Sequence, residues 1–375
     1  MHYLDNAATT LVCPEAARAA LEAMTQCYGN PSSTHTLGRE AKKLLDTSRA
    51  QVARALGCTA QELVFTSCGS ESDNWAILGG AEAGKRRGKH VISSLVEHDA
   101  VRKSLDELEA RGFEVTRLKP EKDGSVSVRA VQDALREDTV LVTLMLVNNE
   151  TGGVTDIAGV ARALKEAGSG ALLHTDAVQG FLKVPFAAKS LGADLISISG
   201  HKIHAPKGVG ALYIRKGLRL KPFLLGGGQE DGRRAGTEAL PQIAAFGEAC
   251  RVGMEGMPDS IRRMAALKAN LETMLTEEIP ELRILPSAAP HILSVSLPGW
   301  RSEVLMNFLE AREIYVSKSS ACKKGGRSHV LEAIGLDART IDGALRISLS
   351  RLTTEEDTAA LCRGLSEARG SLAHR

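Results

Sequence analysis

Aromatic side chains are scarce in this 375-residue sequence, at 3% of positions, so a flat ligand ring would find few residues to pack against. Long apolar runs are also missing. No stretch reaches the roughly 18 apolar residues that a membrane-crossing helix needs. Met1-His2-Tyr3-Leu4-Asp5-Asn6 has no basic start leading into an apolar segment, so a cytoplasmic location is expected. Charge of one sign is lacking too: 47 Lys and Arg stand against 45 Asp and Glu. The net charge of +2 gives no electrostatic reason to expect nucleic acid or an anionic membrane as partner. The seven cysteines form no CxxC pair and no Cys/His cluster of zinc spacing, so no metal is expected and most of them read as reduced apolar fillers.

What is present suits a large core. With 43% hydrophobic and 25% charged residues, the chain is long enough for about two domains. Short runs rich in Val, Ile and Leu recur at Leu63 to Thr66, His90 to Ser93, Val140 to Val147, Ala171 to Leu173, Leu195 to Ile198 and Val209 to Ile214. Helical periods lie between most of them, at Ala41 to Leu56, Val101 to Ala110, Ser127 to Leu135 and Ile157 to Ala167. Strand alternating with helix over such a length predicts a mainly parallel sheet with helices on both faces, and ligands at the carboxyl ends of its strands. Beyond about residue 250 the texture changes. An amphipathic helix pattern over Ile261 to Leu275 precedes the alternating run His291 to Leu297, which predicts a smaller α+β domain.

Two glycine-rich stretches lack the spacing of nucleotide motifs. Gly79 to Gly84 with Lys85 imitates a P-loop, but Arg86 stands where Ser or Thr is required, and the stretch reads as a helix-to-strand turn. Gly226-Gly227-Gly228 lacks the G-x-G-x-x-G spacing of a dinucleotide fingerprint.

The informative residues stand where strands end. Asp176 follows one apolar run, and Lys202, in Ser199-Gly200-His201-Lys202, follows another, so both are expected on one edge of the sheet. Pyridoxal 5′-phosphate needs a lysine amine for a Schiff base and a carboxylate that keeps its pyridine nitrogen protonated. Lys202 and Asp176 match those needs. A phosphate cradle is the third requirement, and Ser67-Cys68-Gly69-Ser70-Glu71-Ser72 offers one at a strand-to-helix turn, with Ser199 and His201 as further donors. Each element has a plainer use as well: a Ser/Gly turn can be an N-cap alone, and an Asp after a strand an ordinary loop residue.

Taken in order, the motifs resemble the NifS/IscS-like cysteine desulfurases, in the class V aminotransferase group of fold-type I pyridoxal-phosphate enzymes. The matches run nearly end to end: Tyr3 to Thr10, Gly29-Asn30-Pro31-Ser32-Ser33, Phe65-Thr66-Ser67, Glu97-His98, Val147-Asn148-Asn149-Glu150, His174-Thr175-Asp176-Ala177, Ser199 to Lys202 and Ser320-Ala321-Cys322. The resemblance implies an α/β fold-type I transferase. Its large domain, 12–250, would hold a mainly parallel seven-stranded sheet, and its small domain, 1–11 with 251–375, a mobile loop bearing Cys322.

It further implies that His98 stacks on the cofactor ring and moves protons, and that Gln179 touches the ring hydroxyl. Gly69, Ser70, Ser199 and His201 would hold the phosphate, joined by Thr237 from a second subunit, so a homodimer is implied. Asn149 and Arg346 would hold the amino-acid substrate, Arg346 by a bidentate bond to its carboxylate. Lys202, His98 and Cys322 would be catalytic, with Cys322 taking sulfur from L-cysteine as a persulfide and leaving L-alanine. The Gly pair and basic residues of Lys318 to Arg327 suit a mobile, reactive thiolate.

Departures from the family pattern are few: Cys68 stands at a usual glycine, Asp231 at a usual arginine, Ser319-Ser320 replaces Ser-Gly-Ser, and Lys323-Lys324 replaces small polar residues. The end at Arg375 leaves out the longer tail with which housekeeping members dock an iron–sulfur scaffold, so a different acceptor is open; the resemblance implies a sulfur-acceptor protein, whether an iron–sulfur scaffold, a tRNA-thiolation enzyme or another carrier. Two other functions share many of these residues. One is a related enzyme, such as a selenocysteine lyase or a class V aminotransferase; the other is a non-catalytic sulfur carrier on a degenerate scaffold.

Overall fold

The computed structural model describes residues 1–318 and 326–372. Its large sheet has seven strands, ordered Leu63–Thr66, Gly210–Ile214, Leu195–Ser199, Leu172–Asp176, Thr139–Met145, His90–Ser94 and Glu114–Leu118. Most of these strands are buried along their whole length, as expected of Val/Ile/Leu runs covered on both faces. Only Gly210–Ile214 runs against its neighbours. Its reversal has a simple cause. The link from Ser199 to Gly210 is too short for the crossover that a parallel partner would need, so the chain turns back on itself.

The strand Glu114–Leu118 was not foreseen from sequence. It pairs parallel with His90–Ser94 at the sheet edge, and of Glu-Val-Thr-Arg-Leu only the last residue is buried. Charged residues on an exposed edge hide the apolar signal while protecting the edge from stray pairing. One further expectation is corrected: Gly79 to Gly84 is no turn but the end of the helix Gly69–Gly84. There a Cβ at Gly84 would lie 2.6 Å from Val140 Cβ, so close packing of helix on sheet accounts for glycine at that position.

A second, antiparallel sheet is ordered Ser317–Lys318, Ala344–Ser348, Ile292–Ser296 and Arg283–Ile284. The long helices Met257–Glu278 and Glu355–Ser371 supply much of its core, through Leu267, Leu271, Leu275, Leu361 and Leu365. The N-terminal segment joins both bodies: Leu4 lies in this second core, and Ala7 in that of the large sheet. Asn6 ties them at the crossing by donating to the Ser348 carbonyl at 2.9 Å. Among the described residues no helix is long and apolar enough to cross a membrane.

Candidate active site

Thr66 and Ser199 both pair with Gly210, so the turns that follow them leave the same edge of the sheet. The missing side chain at Gly210 is what lets them meet: a Cβ there would lie 2.7 Å from the Cys68 carbonyl carbon. That close approach sets the helix Gly69–Gly84 with its N-terminal N–H groups beside the Ser199 hydroxyl. Ser199 Oγ is buried and has no hydrogen-bond partner among the described residues. Glu71, in the helix's first turn, steadies the cradle by accepting from the Ser67 backbone N–H at 2.7 Å and from Arg234 Nε at 2.8 Å. Cys68 is the half-buried N-cap residue and lines the cavity.

A cavity of about 330 Å3 opens at this edge. It gathers the expected cofactor residues Gly69, Ser70, His98, Asp176, Gln179, Ser199, His201 and Lys202, together with the expected substrate residues Asn149 and Arg346. Two expected residues are not among them. Thr237 is exposed and lines no part of its own chain's cavity, and Cys322 lies outside the described residues.

Lys202 ends the short 3-10 turn Gly200–Lys202, and its Nζ donates to the carbonyls of Ala7 and Ala8, at 2.7 Å each. Asp176 ends its strand and accepts from the Val178 backbone N–H at 2.9 Å. Burial raises the Asp176 carboxyl, while the nearby His98 and Lys202 pull it back down. His98 caps the helix Asp99–Ala110 with Nδ1 accepting from the Ala100 N–H at 3.1 Å. A neutral imidazole held that way carries its proton on Nε2. Burial pushes the His201 imidazole down to about 4, so it stands neutral at neutral pH, with Nδ1 3.2 Å from Thr9 Oγ1.

Arg346 comes from the second sheet, yet it is buried against the first. Nη2 donates to Asp5 Oδ1 at 2.9 Å and Nη1 to the Asn149 carbonyl at 3.0 Å. Its Nε is buried and unpartnered among the described residues, and with only two of the five guanidinium N–H groups used by Asp5 and Asn149, donors remain for an anion.

Several groups that sequence reasoning did not assign also matter here. Asp73 sits one turn into the helix Gly69–Gly84, buried, with no hydrogen bond to Oδ1 among the described residues and His174 Nε2 3.6 Å from it; burial and the nearby Asp176 raise its carboxyl well above the usual range. Glu97 accepts from Ser94 Oγ at 2.5 Å and from the Met145 N–H at 3.2 Å, and burial pushes it up to about 8. Glu150 is pushed up to about 7 by the same cause. With Asp73 and Glu97 protonated near neutral pH, Asp176 is the buried acid best placed to ionise, because it alone of the three faces His98 and Lys202. Their positions carried a signal: Glu97 and Glu150 adjoin motif residues His98 and Asn149, and Asp73 follows Gly69 by one helical turn.

A lysine and a carboxylate at neighbouring strand ends, a helix start beside an orphaned hydroxyl, and an arginine with a spare donor define an α/β enzyme site for a phosphorylated, aldehyde-bearing ring and an amino acid. The chain belongs to the aminotransferase class-V family, whose model matches residues 2–361. That family depends on pyridoxal 5′-phosphate. The residues present fit the cofactor: the buried Ser199 hydroxyl lacks a partner where a phosphate would supply one, and the Asp176 carboxylate faces the cavity without an arginine of its own.

Among relatives, a cysteine desulfurase of Nostoc sp. is 41% identical over 94% of this chain and 89% of its own length. A solved structure described as a NifS-like protein superposes with a TM-score of 0.93 at 36% identity, covering 99% of this chain and all of the other. A second, SspA in complex with cysteine, has a TM-score of 0.81 at 33% identity, covering 94% of this chain and all of the other.

Proposed function

We propose that this chain is a pyridoxal-phosphate-dependent cysteine desulfurase, converting L-cysteine to L-alanine and passing the sulfur to a thiol of its own. The observation that carries this reading is the meeting, in one cavity, of Lys202, the buried Asp176 and the half-satisfied Arg346. The cysteine desulfurase names of relatives alike over nearly the full chain, and the cysteine bound in one of the similar structures, support it.

In this reading Lys202 holds the cofactor, and Gly69, Ser70, Ser199, His201 and a second subunit's Thr237 hold its phosphate. Gln179 meets the ring hydroxyl. When bound, the cofactor supplies an electron-accepting ring that stores the electron pair left at the substrate's α-carbon. Asp176 keeps a negative charge behind that ring in a poorly polarisable setting, where it acts strongly. Arg346 and Asn149 orient the substrate carboxylate, and His98, whose Nδ1 is taken up by the Ala100 N–H, offers its Nε2–H to the cavity as a hydrogen-bond donor. Cys322 takes the sulfur: its thiol becomes a persulfide as the substrate becomes alanine, so atoms balance with no added oxidant. The persulfide then passes to an acceptor thiol by exchange.

The exposed Thr237 supports a homodimer, as do the exposed apolar side chains of Leu11, Leu21, Met24, Tyr28 and Leu225. The separate sheets support division into a large domain, 12–250, and a small one, 1–11 with 251–375. We place the protein in the cytoplasm, serving an iron–sulfur scaffold or a tRNA-thiolation enzyme. The test is turnover: the loaded protein releases alanine and, with a reducing thiol, sulfide from L-cysteine in equal amounts, and Lys202→Ala does neither. A protein that turns over L-selenocysteine but not L-cysteine would contradict the reading.

A further inference from the structure

Behind Gln179 lies a second buried lysine. Lys183 is 7% exposed, and its Nζ donates to Gln179 Oε1 at 3.3 Å. Gln179 Nε2 in turn donates to the Ala7 carbonyl at 2.8 Å, the same oxygen that accepts from Lys202 Nζ. The two amines also flank a second cavity of about 30 Å3, lined by both lysines and by His204 and Arg351. That volume is enough for a single water. Leu182 and His204, both on the cavity wall, hold φ at 58° and 71°, in the left-handed region.

The charged groups that act directly on Lys183 are basic, while the carboxylates stand one step away, Asp176 near Lys202 and Asp5 on Arg346. Lys202 and Arg346 act on Lys183, which acts on His201, His204 and His291. Lys268 faces the same cluster from the helix Met257–Glu278 through His291. Among the described residues no carboxylate pairs with Lys183. Two ammonium ions in such a pocket repel strongly, and burial alone disfavours even one. The two are unequally served: Lys202 has two carbonyl acceptors at 2.7 Å, Lys183 one amide oxygen at 3.3 Å. The charge therefore resides on Lys202, and burial, with repulsion from Lys202 and Arg346, pushes the Lys183 amine down to about 7.

We propose that Lys183 is the proton partner of Lys202: the pair shares one positive charge, and Lys183 takes up a proton when Lys202 gives up its own to bond with the cofactor. This rests on the assignment of Lys202 as the cofactor lysine. The balance is direct. The Lys202 ammonium loses one proton to the Lys183 amine, through the water-sized cavity. The free Lys202 amine then forms a C=N bond with the aldehyde, whose oxygen leaves as water with the two remaining amine hydrogens. Thermodynamics gives the same direction. Lys183 is held unprotonated partly by the charge on Lys202, so removing that charge raises its proton affinity. Lys183 acts through Lys202 and is a positioning residue for the proton.

The test counts protons. Apoprotein is titrated calorimetrically with pyridoxal 5′-phosphate at pH 8 in buffers of different ionisation enthalpy, for wild type and for Lys183→Met. Wild type is expected to release fewer protons than the variant, by about half a proton or more. Equal counts, or fewer from the variant, overturn the proposal. Should Lys183→Met fail to fold, 15N NMR of the lysine side chains of wild type decides: the Lys183 midpoint should move up by more than about one pH unit on loading, and an unmoved midpoint overturns the pairing. A wild-type chain that gains no cofactor absorbance overturns the assignment of Lys202 and the pairing with it, and the missing absorbance separates that failure from equal proton counts.

Discussion

Replacing Arg346 by Lys keeps the positive charge and removes the fork, which isolates what geometry contributes at the substrate end of the cavity. Two of the guanidinium's donors are committed, to Asp5 and to the Asn149 carbonyl, and Nε is the buried donor left over. Lysine cannot serve Asp5, Asn149 and a bound carboxylate from one ammonium at those angles. The substrate then loses one charge-assisted hydrogen bond, worth about 1.5–3 kcal/mol. At 1.4 kcal/mol per factor of ten, kcat/KM for L-cysteine falls roughly 10- to 150-fold. Most of the change falls on KM, because the carboxylate is held alike in the ground and transition states. Steady-state alanine formation measures it, with cofactor absorbance as the control. A kcat/KM within about threefold of wild type would refute the assignment, as would loss of the cofactor band with folding intact. Asp5→Asn, which leaves the fork whole, should cost less than Arg346→Lys.

Other consequences follow from named contacts. Burial lifts the Glu97 carboxyl from 4.5 to about 8, so the folded state binds a proton that the unfolded chain has lost between those values. Stability therefore falls as pH rises through that window, by up to about 1.4 kcal/mol per unit; Glu97→Gln should flatten the slope in denaturant unfolding at pH 5.5 and 8, and an unchanged slope rejects the cause. Arg49 and Glu230 form a buried two-point ion pair, at 2.7 and 2.5 Å, that pins the segment leading to Thr237 onto the strand Leu63–Thr66. Arg49→Met should cost about 3–5 kcal/mol by stranding the carboxylate, and adding Glu230→Gln should restore part of it; a loss below about 1 kcal/mol for the single variant contradicts a structural role for the pair. Gly210→Ala pushes a methyl into the Cys68 backbone. The phosphate cradle should open, with cofactor affinity falling at least about tenfold, since one hydrogen bond to a charged group is worth that much; unchanged affinity by fluorescence titration would show that the turn has room to spare.

Lys202 and Asp176 were legible in the sequence because the strands before them are unbroken apolar runs, and parallel strands of that kind deliver their last residues to a common edge. Gly69, Ser70 and Ser199 followed from the same edge. Arg346 was different. Only family resemblance pointed to it, since its contact with the Asn149 carbonyl joins two sheets across most of the chain, and periodicity carries no record of such distances. The strand Glu114–Leu118 was hidden by its own charged edge, and the glycines of Gly79–Gly84 looked like a turn although they end a helix, with Gly84 packed too closely on Val140 to carry a side chain. Lys183 left only a faint mark. It stands four residues after Gln179, but nothing in Gln-Gly-Phe-Leu-Lys-Val-Pro announces a buried amine; the residues that enclose it, among them His204, Met264 and Arg351, are distant in sequence.

Mass spectrometry of the intact protein and its peptides, after brief incubation of the loaded enzyme with L-cysteine, joins Lys202 to the sulfur chemistry in one reading. One sulfur atom should appear on Cys322 with alanine in matching amount, and both should vanish in Lys202→Ala. Alanine formed while Cys322 stays unmodified, or sulfur carried on another cysteine, would contradict the transfer assigned to it.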